Sequence, residues 1–90
     1  MIKLIASAIK FYNDETHEWI VMTGVRHADI LYDMHVLGIK YNKQAYYQGF
    51  LTNNGEFVNR YEAKLIAIEA KQLIVPIEET YAELFSEDVW

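Results

Sequence analysis

The sequence contains no cysteine and only one proline among its 90 residues. Without cysteine, the chain cannot form a disulfide framework, an iron-sulfur cluster, a zinc site built on thiolates or a thiol nucleophile. It also lacks the run of roughly 20 apolar residues that a membrane helix requires, and its first residues lack the basic and apolar regions of a signal peptide. These absences predict a soluble protein of the cytoplasm with no membrane partner.

The sequence also has no excess of basic residues. The formal net charge is −5, and basic and acidic residues balance over 1–77, so that the acidic excess lies in residues 78–90. Because no basic stripe is available to neutralise phosphates, binding to a long nucleic acid is not expected. A small anion held by one or two arginines is compatible with this charge distribution.

The length of the chain sets its organisation. Ninety residues predict a single domain over residues 1–90, since chains divide only beyond about 250 to 300 residues. The hydrophobic content of 52% is enough for a core. A domain of this size hides only part of its apolar surface, however, so self-association into a homo-oligomer is expected.

Local patterns predict an α+β fold in which a small antiparallel sheet of two hairpins carries two main helices. Asn54-Gly55 is the preferred pair for a tight hairpin turn. Asn59 with Glu62 forms a capping box that opens the second helix. The predicted order is β-β-α-β-β-α, with strands over 3–12 and 18–23, a helix over 26–37, strands over 46–51 and 56–58, a helix over 59–73 stopped by Pro76, and a short C-terminal helix or arm.

Two arginines lie where helices are expected to begin. Arg26 and His27 open the first helix, where free backbone amides and the helix dipole favour an anion such as phosphate. The alternative is that Arg26 only pairs with Asp29 or Asp33 on the same helix.

Arg60 lies in the first turn of the second helix, where the dipole disfavours a cation. A bound phosphate would explain its presence, and so would a carboxylate such as Glu56, Glu87 or Asp88 from this or a neighbouring subunit. Two helix starts that each carry an arginine would suit a ligand with two phosphates.

Aromatic residues cluster around the second hairpin. Tyr46, Tyr47, Phe50 and Phe57 would stack on a nucleobase at roughly 1 to 3 kcal/mol each, or they would pack a small core or a subunit interface. Gly49 between them indicates a close approach of two backbone segments.

Signals for catalysis, metals and cofactors are weak. His27 and His35 are about 12 Å apart along one helix, which is too far to share a metal ion. No pair of carboxylates is spaced as an acid and a base, and no phosphate-binding glycine loop is present. We therefore expect no enzyme, no metal and no cofactor. The acidic tail that ends in Trp90 is expected to be a solvated terminus or an arm that docks on a neighbouring subunit.

Four segments together resemble a known pattern: GVRHADI at 24–30, QGFLT at 48–52, GEFVNRYEA at 55–63 and FSEDVW at 85–90. The pattern is similar to that of the first Thoeris anti-defence family, which consists of phage and prophage sponge proteins that trap cyclic ADP-ribose isomers. The resemblance covers roughly three quarters of the chain. Two residues depart from it, since Glu56 replaces a basic or polar residue and Asn59 replaces an acidic one.

The resemblance implies an α/β protomer that assembles into dimers and larger rings, so that the expected homo-oligomer is a dimer or a hexamer. It also implies that the protein sequesters a cyclic nucleotide without cleaving it. Some members also hold cyclic oligonucleotides at separate sites. The implied ligand contacts are Arg26 and Arg60 to phosphates, Phe50 or Phe57 to adenine, and Asn59, Gln48 or Thr52 to ribose; His27 joins them as a neighbour of Arg26.

Two other functions are compatible with the sequence. In the first, the acidic tail and the aromatic hairpin dock on a host protein, so that the chain is a protein-binding inhibitor. In the second, the chain is a small hydrolase of the same nucleotide signal with His27 as the base.

Overall fold

The computed structural model describes all residues, 1–90, as one four-stranded antiparallel sheet with two helices. The strand order is β2-β1-β3-β4, and every neighbouring pair is antiparallel. The predicted α+β class and the β-β-α-β-β-α order are therefore confirmed. The elements are β1 (Leu4–Asn13), β2 (Glu18–Gly24), α1 (His27–Val36), β3 (Tyr46–Thr52), β4 (Phe57–Asn59) and α2 (Arg60–Glu69), followed by 3-10 turns at Ile77–Glu79 and Ser86–Asp88.

Short polar segments close both hairpins. In the first, the side chain of Asn13 accepts hydrogen bonds from the backbone amides of Glu15 and Thr16, and His17 adopts a left-handed conformation with φ 58°. In the second, Gly55 takes φ 84°, a conformation in which a side chain would be strained. Gly55 of the predicted Asn54-Gly55 pair thus lies in the turn of the second hairpin.

The second helix begins as predicted and ends earlier than predicted. The capping box between Asn59 and Glu62 is formed in both directions. The helix ends at Glu69 and not near Leu73, because Lys71 adopts a left-handed conformation with φ 57°. Beyond the helix, the Gln72 side chain accepts a hydrogen bond from the N–H of Leu4 and donates one to its C=O. These two bonds connect the segment after α2 to the start of β1.

The C-terminal segment folds back into its own domain. Leu84 and Val89 are buried in the core, and Trp90 packs against it. The Trp90 ring lies 6.2 Å from that of Phe50, and its indole N–H donates to Ser7 Oγ at 3.3 Å. The expectation of a solvated tail or an arm for a partner subunit was wrong, because the chain's own sheet covers Trp90.

The two helices lie on the same face of the sheet. Two clusters of buried side chains fill the space beneath them, and the cross-strand pairs Ser7 to Phe50 and Ile9 to Gln48 place both clusters on one face. The cluster under α2 contains Leu4, Phe50, Val58, Ala63, Ala67, Leu84 and Val89, and the cluster under α1 contains Ile9, Phe11, Ile30 and Met34. No helix of the structure is long and apolar enough to cross a bilayer.

The opposite face of the sheet, which we call the open face, carries no helix. Lys10 lies at its centre, with its ammonium 5.4 Å from the ring of Trp19 and 5.9 Å from that of Phe57. Trp19 also stacks against Tyr47 at 6.2 Å between ring centroids. The open face therefore presents aromatic rings around one cation.

Gly49 marks the close approach that the sequence indicated. A Cβ atom at this position would lie 2.1 Å from the carbonyl oxygen of Val58 and 2.6 Å from the ring of Phe57. Since β3 and β4 pair at this point, no side chain fits between them.

We expect Gly49→Ala to lower the free energy of unfolding by about 1 to 3 kcal/mol, because the added methyl group must displace backbone. Gly24→Ala is the matched control, since the nearest atom to its Cβ would be a side-chain atom of Ile30 at 3.0 Å and not a backbone atom at 2.1 Å. Urea denaturation of both variants measures the difference. Equal losses would contradict the close approach at Gly49.

We expect Trp90→Ala to lower the free energy of unfolding by about 2 to 3 kcal/mol, because a partly buried indole leaves a gap beside Phe50. Trp19→Ala removes the other tryptophan, whose side chain is half exposed on the open face, and is expected to cost less. Thermal melts under identical conditions compare the two. A Trp90 variant as stable as the wild type would contradict the packing of Trp90 and favour the hypothesis of a solvated tail.

Candidate functional site

The two helices begin close together, above the same residue of β3. His27, the first residue of α1, bonds the carbonyl oxygen of Gly49 through Nε2 at 2.7 Å. Asn59, which caps α2, lies opposite Gly49 in the β3 and β4 pairing. Gly49 therefore fixes both helix starts, and with them the positions of Arg26 and Arg60.

An open cavity of about 320 Å³ lies at the start of α2. It exists because β4 ends at Asn59 while β3 continues beyond it, so that Tyr46 and Tyr47 have no strand beside them on that side. The lining residues come from β3, from the start of α2 and from the C-terminal segment: Tyr46, Tyr47, Gln48, Asn59, Arg60, Tyr61 and Glu83.

Arg60 is the cation of this cavity. Its guanidinium donates to Gln48 Oε1, lies 3.7 Å from Glu83 Oε2 and packs 4.9 Å from the ring centre of Phe85. The side chain is only 22% exposed, and its Nε is buried without a hydrogen-bond partner in the chain. The alternative of a carboxylate partner is therefore met in kind, but the residues named for it, Glu56, Glu87 and Asp88, were wrong, because the docked C-terminal segment supplies Glu83 instead.

Buried guanidinium groups are normally hydrogen-bonded, since an unpaired donor loses water without compensation. The contact to Glu83 is longer than an ordinary charge-assisted hydrogen bond of about 2.7 to 2.9 Å. Arg60 is thus held in place by Gln48 and Phe85, while its charge is only loosely compensated.

Arg26 lies outside the cavity. It pairs with Glu87 at 3.7 Å, and neither Asp29 nor Asp33 is its partner. The earlier alternative was therefore wrong in its choice of carboxylate, because the docked tail brings Glu87 to the start of α1. The structure gives no support to a single cavity in which Arg26 and Arg60 both meet phosphates.

His27 is buried, and both Arg60 and Glu87 lie near enough for their charges to act on it. Burial is the largest influence on its imidazole and lowers the pKa below the usual 6.5; the charge of Arg60 lowers it further, while the bond to Gly49 and the charge of Glu87 oppose the change. The ring packs edge-on to Phe50 at 5.1 Å. Because the Gly49 carbonyl oxygen can only accept a hydrogen bond, Nε2 carries a proton, and a neutral His27 has its lone pair on Nδ1 of the buried ring.

Three other predicted contacts lie away from the cavity. Phe50 is fully buried in the core, so its ring has no surface open to a base. Thr52 is buried too, and its hydroxyl is engaged with Asn54 and Glu56 at the hairpin turn. Phe57 lies on the open face near Lys10. Of the predicted contact residues, the cavity unites Gln48, Asn59 and Arg60.

The cavity also contains residues beyond the ligand contacts that the resemblance implied. Tyr46 and Tyr47 were among the aromatic residues that the sequence offered for stacking, and they border the cavity because β4 is short and leaves this part of β3 without a partner strand on that side. Tyr61 follows Arg60 directly, and its hydroxyl donates to Glu83 at 2.8 Å. Glu83 had no signal at all, since it reaches the cavity only when the backbone N–H of Leu84 bonds the carbonyl of Arg60 at 3.1 Å. No group of three or more His, Asp or Glu side chains converges in a way that would hold a metal ion.

The low pKa of His27 predicts a pH-dependent stability. The unfolded chain binds a proton to this residue near pH 6.5 while the folded chain resists it, so stability is complete above that pH and falls as the pH drops below it. We expect His27→Gln to reduce this dependence, measured by urea unfolding between pH 5 and pH 8. His35→Gln, an exchange of an exposed histidine on the same helix, is the control. A His27 variant with an unchanged pH dependence would contradict the assignment.

Comparison with known proteins gives one family. The chain matches the family model described as phage T4 y16D protein over residues 3–90. No curated protein and no solved structure matches the chain. The match does not support the resemblance to the first Thoeris anti-defence family, which stays a hypothesis. Because the matched region covers nearly the whole sequence, the chain belongs to the phage T4 y16D protein family.

Proposed function

We propose that this phage protein binds a small phosphorylated nucleotide in the cavity at the start of α2 and sequesters it in the host cytoplasm without cleaving it. The observation that carries the proposal is the incompletely paired Arg60 in an open cavity lined by tyrosines. The ligand class that we favour is a cyclic nucleotide immune signal, with a cyclic ADP-ribose isomer as the first candidate and a cyclic oligonucleotide as the second.

Arg60 supplies the charge that a phosphate requires. A phosphate oxygen would replace the loose contact to Glu83 and form a charge-assisted hydrogen bond, at about 1.5 to 3 kcal/mol. The positive end of the α2 dipole favours an anion at the same place. Gln48 keeps the guanidinium oriented before the ligand arrives, so little side-chain entropy is lost on binding.

Tyrosines supply the aromatic surface. Tyr47 is 52% exposed and Tyr61 is 57% exposed, so both rings have area open to a base or a ribose. Tyr46 is anchored by stacking on Tyr41 at 5.3 Å and by accepting a hydrogen bond from the Gln48 amide. In our proposal these rings take the stacking role that the resemblance had given to Phe50 or Phe57.

Sequestration is favoured over hydrolysis by the state of the histidine. The hydrolase hypothesis needs His27 as a base within reach of a substrate or of an attacking water. The imidazole is buried, and its Nε2 is bonded to Gly49. We therefore propose binding without a chemical step.

A second function, inhibition of a host protein, is favoured by the open face. Trp19 and Val21 are exposed there beside Tyr47, in an arrangement of aromatic and aliphatic side chains that is typical of protein interfaces. This function requires no small molecule, so the fate of a nucleotide in solution separates it from the first.

The deciding experiment incubates the protein with cyclic ADP-ribose isomers or cyclic oligonucleotides, removes the protein by filtration and then denatures it by heat. A sequestering protein depletes the filtrate and returns intact nucleotide after denaturation. A hydrolase returns a product, and a protein-docking inhibitor leaves the filtrate unchanged. Either of the last two results would reject the proposal for the nucleotides tested.

We expect Arg60→Ala to weaken nucleotide binding by about ten- to one hundred-fold, as the loss of about 1.5 to 3 kcal/mol implies. Arg26→Ala is the matched control, because it removes an arginine at the other helix start, outside the cavity. Calorimetry gives the affinities, and melting curves show whether both variants fold. Equal affinities of the wild type and the Arg60 variant would exclude Arg60 from the site.

We expect Glu83→Gln to strengthen nucleotide binding several-fold, because the neutral amide no longer competes with phosphate for Arg60. The substitution keeps the size of the side chain and a partner for the Tyr61 hydroxyl. Glu87→Gln, which changes the carboxylate beside Arg26, is the control. Weaker binding by the Glu83 variant would show that this carboxylate contacts the ligand itself, and that Arg60 is not released in the way proposed.

A further inference from the structure

The outer edge of the sheet at β2 lacks the features that normally prevent strand pairing. β2 is seven residues long, pairs only with β1 and keeps an uninterrupted register from Ser7 opposite Gly24 to Asn13 opposite Glu18. It contains no Lys, Arg or Pro, and its one charge is Glu18 at the end. Edge strands of monomeric proteins are usually short, bulged or protected by charges and proline. The other edge of this sheet follows the rule, since β4 has three residues.

The pairing of β1 with the β3 side shows which backbone N–H and C=O groups of β2 point away from β1. The N–H of Tyr12 donates to the carbonyl of Ala45 on the β3 side, so the backbone groups of Tyr12 do not bond β2. Trp19 lies opposite Tyr12, and its own N–H and C=O therefore point away from β1. Because the direction alternates along a strand, the groups of Val21 and Thr23 also point outward.

The side chains leave this edge accessible. The ring of Trp19 stacks on Tyr47, a residue of β3, so it extends across β1 and away from the outer edge. Val21, at the middle of the strand, is 41% exposed. A second strand is therefore free to approach the outward N–H and C=O groups.

We propose that β2 pairs with β2 of a second copy of this chain, antiparallel and with a two-fold axis at Val21, to form a continuous eight-stranded sheet. In this register Val21 faces Val21 of the second copy, and Trp19 faces Thr23. All the outward backbone groups then find partners, because each of these residues donates and accepts one hydrogen bond. This proposal does not depend on the proposed nucleotide function.

In the same register, the side chains of β2 are compatible with those of a second β2. This favours a second copy of the chain as the partner over an unrelated strand. On the helix face, Ile20 meets Met22 of the second copy, so that apolar side chains face each other. Glu18, the only charge, lies opposite Gly24 and meets no like charge. Since each copy has one such edge, the pairing closes as a dimer and does not continue into a fibre.

Complementary charges at position 21 test the proposal. The wild type is expected to form a dimer in sedimentation velocity over a concentration series. Val21→Lys and Val21→Glu are each expected to weaken the dimer by about tenfold or more, because each places like charges across the axis. An equimolar mixture of the two variants is expected to restore a heterodimer. Leu65→Lys, which changes a side chain on α2 that is 70% exposed, is the control and is expected to leave the dimer intact.

Cross-linking provides a second measurement that does not depend on charged variants. The natural chain has no cysteine, so Val21→Cys introduces a single thiol, and a short bifunctional maleimide is expected to link the two thiols across the axis. Leu65→Cys is expected to remain largely uncross-linked under the same conditions. A monomeric wild type would overturn the proposal. A dimer that is insensitive to both charges at Val21 and is not cross-linked through Cys at that position would overturn it as well.

Discussion

The close packing around Gly49 is the constraint on which the rest of the structure depends. The absence of a side chain lets the backbone of Val58 and the ring of Phe57 approach β3, and the carbonyl of Gly49 receives the imidazole of His27. Both helices therefore start from one point of the sheet. A larger residue at Gly49 would displace β4, and with it the start of α2 that carries Arg60.

The C-terminal segment is the second determinant, because it completes both the core and the cavity. Leu84 and Val89 fill the core under α2, while Glu83 lines the cavity and Glu87 pairs with Arg26. The acidic excess of the sequence is thus used in part to compensate the two arginines at the helix starts.

The two faces and the two edges of the sheet have separate environments. One face is covered by helices, and the open face exposes aromatic rings around Lys10. The first residues of β3, Tyr46 to Gln48, border the cavity. At the opposite edge of the sheet, β2 has backbone groups without a partner strand. A ligand at the cavity and a second copy at β2 would therefore occupy different parts of the molecule, at opposite edges of the sheet.

Features that depend on a few neighbouring residues were determined by the sequence itself. The Asn54-Gly55 turn, the capping box of Asn59 and Glu62 and the alternation of the strands act over short distances, so the α+β class and the order of elements followed from them. The end of α2 did not, because Gln72 leaves the helix to bond Leu4, a residue 68 positions away.

Only the tertiary structure decided which residues form the site. Phe50 has the sequence signature of a stacking residue, yet the docked Trp90 helps to bury it; Glu83 has no signature, yet it lines the cavity. Both outcomes depend on where the C-terminal segment packs. That position results from the summed burial of side chains from distant parts of the chain, which no local pattern encodes.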